Sequence, residues 1–76
     1  MSETYFEIQV ETYDGHKGAE RPVAFTWKGK RIECSAIEDR WYGEDHEYFR
    51  VAGSDSRTYI LRYDRKVDRW QIEAIK

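Results

Sequence analysis

Residues 33–43 read ECSAIEDRWYG, and whether they coil or extend decides the architecture of the chain. Read as a helix, Ser35 is an N-cap with Glu38 three positions on, a capping box. Cys34, Ile37 and Trp41 then recur at near-helical spacing, and Gly43 is the stop. Read as a strand, the same residues show a slip of phase: Ala36 and Ile37 are adjacent apolar residues, and Trp41 falls in the odd register. A β-bulge produces such a slip and bends the strand, as closure of a barrel requires. The bulged strand is the reading adopted; its rival is a short helical turn over 36–42.

The flanking sequence favours the strand, because its period is two. Phe6, Ile8 and Val10 alternate with Glu7, Gln9 and Glu11, and Val23, Phe25 and Trp27 alternate with Ala24 and Thr26. Ile32 and Cys34 continue the pattern after the tight KGK turn. Phe49 and Val51 face away from Tyr48 and Arg50. Tyr59, Leu61 and Tyr63 form one face of a fifth segment, and Trp70, Ile72 and Ala74 one face of a sixth. Leu61 is the only leucine, whereas isoleucine, valine, threonine and aromatics are plentiful, a balance suited to pleated strands. Glycines fall between the periodic segments, and Pro22 opens the second one, where its missing N–H does least harm. Six strands with short connections predict an all-β antiparallel meander rolled into a small barrel or strongly bent sheet.

Length and charge set bounds. Seventy-six residues make one domain, 1–76, which buries only about 60% of its unfolded surface. Its core must therefore draw on large aromatics, with Trp27, Trp41, Trp70, Phe6, Phe25, Phe49 and several tyrosines supplying the buried area. A net charge of −2 with 37% charged residues means mixed signs and no global field for nucleic acid or an anionic membrane. Cys34 is the only cysteine, so no internal disulfide forms. The N-terminus lacks a signal-peptide pattern and no apolar run approaches membrane length, which points to a cytoplasmic domain off the membrane.

The chemistry-bearing residues make no strong constellation. His16, Cys34, Asp45 and His46 can ligate metals, but no CxxC, HxH or HExxH spacing joins them, so no metal or cofactor is expected. An inward-facing Cys34 behaves as a small hydrophobe. Asp39 with Glu44 or Asp45 would serve acid–base work only if burial separated their pKa values, and EDRWYGEDHE reads better as turn chemistry. The chain is not expected to be an enzyme. If the strands run up and down, turn parity brings Lys28, Lys30 and Arg31 to the same end as Arg57, a modest basic patch offset by Asp55. The opposite end gathers the acidic GEDHE turn and the basic DRKVDR turn, which neutralise one another. Tyr48, with Tyr5 and Tyr13, faces outward.

The large residues form a frame: RPVAFTWKGKRIECSAIEDRW, then EYFRV, then TYILRYD and RWQI. Over residues 21–73 this frame resembles a family of small uncharacterised bacterial β domains that occur as stand-alone proteins. It is also similar to a module that closes some Y-family polymerase-like proteins of bacterial translesion synthesis. The resemblance implies a β domain of unknown role, attached functionally to DNA-repair or regulatory assemblies, and carries over no catalytic assignment. The matching positions, Phe25, Gly29, Trp41, Tyr48, Val51 and Trp70, are packing and turn residues.

Together these readings predict a non-catalytic protein-interaction or accessory module. Its contact surface is the outward aromatic row with the basic end: Lys28, Lys30, Arg31, Arg57 and Tyr48. A partner protein is the primary expectation, and a single-stranded nucleic acid linked to DNA repair, bound at the same surface, is the alternative. A small ligand-binding or enzymatic domain is the third. The sequence leaves the oligomeric state open.

Overall fold

The computed structural model describes residues 5–12 and 21–73, and in it the disputed stretch is extended. Six strands follow one another: β1 (Tyr5–Thr12), β2 (Pro22–Trp27), β3 (Lys30–Tyr42), β4 (His46–Gly53), β5 (Thr58–Asp64) and β6 (Arg69–Glu73). Every neighbouring pair is antiparallel, and β1 pairs with β6 to close the barrel. Tyr13, His16 and Ala74 lie outside the described residues.

Two strands turn the corners. β1 pairs with β6 through Tyr5–Ile8 and with β2 from Gln9 onward. β3 pairs with β2 through Lys30–Glu33 and with β4 from Cys34 onward. The barrel is thus a three-stranded layer and a five-stranded layer that share β1 and β3, the arrangement by which crossed sheets close at bent strands.

The bend in β3 replaces the helical turn. Its register against β4 shifts twice, between Cys34 and Ala36 and again between Ile37 and Asp39. The residues left over at these shifts are Ser35 and Glu38, the two that look like a capping box in the sequence. Each extra residue moves the side-chain phase by one. After the first shift Ile37 faces inward opposite Val51; after the second Arg40 faces inward opposite Phe49 and Trp41 faces outward opposite Tyr48. Trp41 is therefore not a core anchor: it is 39% exposed and stacks on Tyr48 with ring centroids 5.4 Å apart and planes 2° from parallel. Tyr42, at the hairpin tip, is largely exposed, with the Arg40 guanidinium 5.7 Å from its ring.

The core follows the alternation elsewhere. Phe25, Ile32, Phe49, Val51, Tyr59, Leu61, Tyr63, Trp70 and Ile72 form one buried cluster, with Ile8, Val10, Trp27, Cys34 and Ile37 packed against it. Phe25 meets Tyr59 edge-on at 5.0 Å, and Trp70 contacts both Phe49 and Tyr63. Such ring pairs add about 0.5–1.5 kcal/mol each to simple burial.

The β2–β3 turn is a two-residue link, Lys28 and Gly29, with φ of 53° and 79°. Two left-handed residues match the twist of the flanking strands. Nothing lies within 4 Å of where a Cβ on Gly29 would sit, so Gly29→Ala meets backbone strain alone. The expected loss is about 1 kcal/mol, seen as a thermal midpoint lower by about 4–8 °C.

A tyrosine hydroxyl fastens a turn at each end. Tyr59 donates to Asp55 and Tyr63 to Asp68, both at 2.5 Å. Burial, then the Asp68 carboxylate, push the Tyr63 phenol up to about 12; burial and Asp55 raise Tyr59 likewise. Because the folded pKa exceeds the unfolded value near 10, this stabilisation is complete below about pH 10 and is lost as pH rises through 12. Asp55 is held below the usual carboxylate range, first by the Tyr59 hydroxyl, so its contribution is complete above about pH 4 and lost on acidification. Urea midpoints measured from pH 8 to 12 should fall more steeply in the natural protein than in Tyr63→Phe, the two curves converging at the alkaline end.

Candidate functional site

Strand direction places the β2–β3 and β4–β5 turns at one end of the barrel, the lower end, together with Tyr5 and Glu73. This is the pairing of turns that parity predicts. Between them opens a cavity of about 960 Å3. Its floor is apolar, where the core residues Ile32 and Tyr59 come to the surface. Phe6 and Trp27 stand on its wall with ring centroids 5.6 Å apart. Lys28, Lys30 and Arg57 supply its positive charge, and Asp55 and Glu73 its negative charge.

Local geometry fixes these groups. Trp27 and Lys30 are the paired residues that close the tight turn, so both side chains point to the barrel interior at its open end. Lys28 sets its Nζ 5.5 Å from the Trp27 ring centroid, a cation–π approach. Arg57 is carried by the β4–β5 turn, in which the Gly53 N–H donates to the Arg57 carbonyl at 2.7 Å. That turn is tied to β3 by two hydrogen bonds: Ser54 N–H to the Glu33 carbonyl at 2.8 Å, and Glu33 N–H to Ser54 Oγ at 3.2 Å. The Asp55 carboxylate is committed to the Tyr59 hydroxyl and the Arg57 N–H.

The cations at this mouth differ from those elsewhere. Arg31 is clamped on the outer wall by Glu11 at 2.8 Å and Glu33 at 3.1 Å. Arg40 and Arg65 both reach the buried Glu47, Arg50 reaches Glu38 and Asp39, Lys66 reaches Asp45, and Arg69 reaches Glu7. Arg62 donates to Gln71 and lies 3.7 Å from the centroid of Tyr5. Arg21 apart, Lys28, Lys30 and Arg57 are the described cations whose side chains have neither a carboxylate in ion-pair reach nor a hydrogen-bond acceptor. All three face one cavity.

The sequence-derived surface is thereby divided. Lys28, Lys30 and Arg57 come together. Arg31 is on the outer wall, engaged by two glutamates, and Tyr48 is on the outer wall towards the other end, under Trp41. Tyr5 is covered by Arg62. Phe6 and Trp27 are the members that alternation assigns to the core; their position at the terminal residues of inward faces was the available signal. Among the described residues of the upper end, Arg65 and Lys66 pair with Glu47 and Asp45, and Arg65 donates to the Glu44 carbonyl at 2.8 Å.

Other reactive groups make no competing site. Cys34 is half-buried, and desolvation pushes its thiol up to about 11, which keeps it protonated and unreactive near neutrality. His46 Nε2 lies 3.4 Å from Asp64. Among the described residues no three His, Cys, Asp or Glu side chains converge as metal ligands, and no helix is long and apolar enough to cross a membrane. Comparison with protein-family models, with characterised proteins and with solved structures finds no match to the chain.

Proposed function

We propose that the protein is a non-catalytic interaction module that engages a partner protein through the lower mouth of its barrel. The observation that carries this reading is the convergence of three unpaired cations on one cavity beside two accessible aromatic rings. Among the described residues, Arg31, Arg40, Arg50, Arg65, Lys66 and Arg69 are each matched by carboxylates. A positive site left unmatched attracts and orients an anionic partner surface, and aromatic rings at the centre of a contact supply most of its binding energy.

A single-strand binder needs stacking rings laid along a cationic track. Here the rings beside the cations, Phe6 and Trp27, are packed on each other, the Trp41–Tyr48 stack belongs to the outer wall, and Asp55 and Glu73 stand in the mouth itself. The partner is therefore read as protein.

The double variant Lys28→Glu/Lys30→Glu tests this. Affinity purification from cells that naturally produce the protein, followed by mass spectrometry and calorimetry with the purified partner, should show binding weakened at least about tenfold, a loss of about 1.4 kcal/mol. Trp41→Ala should bind as the natural protein does. Equal affinity of the double variant and the natural protein would place the contact elsewhere.

A further inference from the structure

Resting on the mouth as the contact surface, we propose that its occupant is a short extended segment of a partner protein in which one large apolar side chain is flanked by carboxylates. The apolar side chain packs on the Phe6–Trp27 ring pair above the floor at Ile32 and Tyr59, and the carboxylates reach Lys28, Lys30 and Arg57.

Three features select this chemistry. The floor at Ile32 and Tyr59 belongs to the packed core, so the anchor seats on a surface that is already formed and costs little ordering on binding. A cavity of about 960 Å3 lies in the range of about 300–1,000 Å3 typical of small-ligand sites. It has room for a few side chains and not for a folded domain. The charges are also mixed: three cations line the cavity, and Asp55 and Glu73 line it too. A polyphosphate strand brings negative charge at every step and so sets some of it against Glu73. A peptide can put carboxylates opposite the cations and a backbone N–H opposite the glutamate.

The experiment uses the full chain labelled with nitrogen-15 and four probes. These are a short peptide of glutamates and serines around one central phenylalanine, the same peptide with that phenylalanine replaced by serine, the same peptide with glutamines for its glutamates, and an oligothymidine of about ten nucleotides. The first peptide should shift the Trp27 indole signal with those of Lys28, Lys30 and Arg57. Each of the next two should bind at least about tenfold more weakly, and the first peptide should lose its effect on Lys28→Glu/Lys30→Glu, whose spectrum remains dispersed. Equal binding without the phenylalanine overturns the anchored segment while leaving the mouth as a contact surface. Tighter binding of oligothymidine at the same signals makes the occupant a single strand. Shifts of those signals on raising the protein concentration alone make it a second copy. If no probe moves them, the mouth is not a contact surface and both readings fall.

Discussion

Phe49→Ala should remove about half of the folding free energy, whereas Trp41→Ala should stay close to the natural stability. Phe49 has no accessible surface, packs on Trp70 at 5.4 Å and lies beneath the Arg40 guanidinium at 5.0 Å. Removing such a ring costs about 3–5 kcal/mol, in lost burial and in the cavity left behind. A 76-residue domain has only about 4–11 kcal/mol in total. Trp41 contributes an outer-wall stack, worth about 1 kcal/mol. Urea titration followed by circular dichroism separates the two variants. Similar losses for both would contradict the double phase shift in β3.

That contrast also marks where sequence reasoning stopped. The six strands, their order and most of the inner face follow from strict alternation, as in Tyr59, Leu61 and Tyr63 or Trp70 and Ile72. Alternation is a count, and a bulge resets it. One bulge near Ser35 was legible because Ala36 and Ile37 break phase visibly. The second, at Glu38, is silent: it falls within a run of polar residues, Glu38 to Arg40, where a reversed phase leaves no apolar mismatch to see. The error therefore surfaces three residues later, at Trp41. The same three-residue spacing of Ser35 and Glu38 that suggests a capping box is the spacing of two left-over residues in a doubly bulged strand.

Gly53→Ala should be the more damaging of the two glycine substitutions. A Cβ there would lie 2.7 Å from Asp55 Oδ1, 2.9 Å from Tyr59 Cε2 and 3.0 Å from Ile32 Cγ2. Gly53 pairs with Cys34 at the start of the first bulge, where the bent strand brings β3, β4 and the β4–β5 turn together. Two of the three close approaches are to Tyr59 and Ile32, side chains of the buried cluster. Overpacking of this kind costs about 2–3 kcal/mol, and the thermal midpoint should fall by about 10–20 °C. Because Asp55, Tyr59 and Ile32 also line the mouth, the variant should disturb the Lys28 and Arg57 amide signals at temperatures where it is still folded. A midpoint within a few degrees of the natural protein would mean that the turn can move aside.

The site was legible in part. Parity alone brought Lys28, Lys30 and Arg57 to one end, since turns alternate between ends in any up-and-down meander. It could not show that Arg31 is held by Glu11, because that contact joins residues twenty positions apart across the β1–β2–β3 layer. Nor could it show that Phe6 and Trp27 are accessible. An inward-facing ring is buried in mid-strand and uncovered at a rim, and the sequence does not say how far each strand extends beyond its neighbours.

The closure of β1 on β6 sets Tyr5 directly opposite Glu73, so the polypeptide enters and leaves the barrel side by side at the rim of the mouth. Any affinity tag or fused protein joined through either of these strands is delivered to that rim, where it would compete for space with whatever docks there. A circular permutant that joins the two strands by a short linker and reopens the chain at Val67 would move both attachment points to the far end, and is the form best suited to immobilising this protein without masking it.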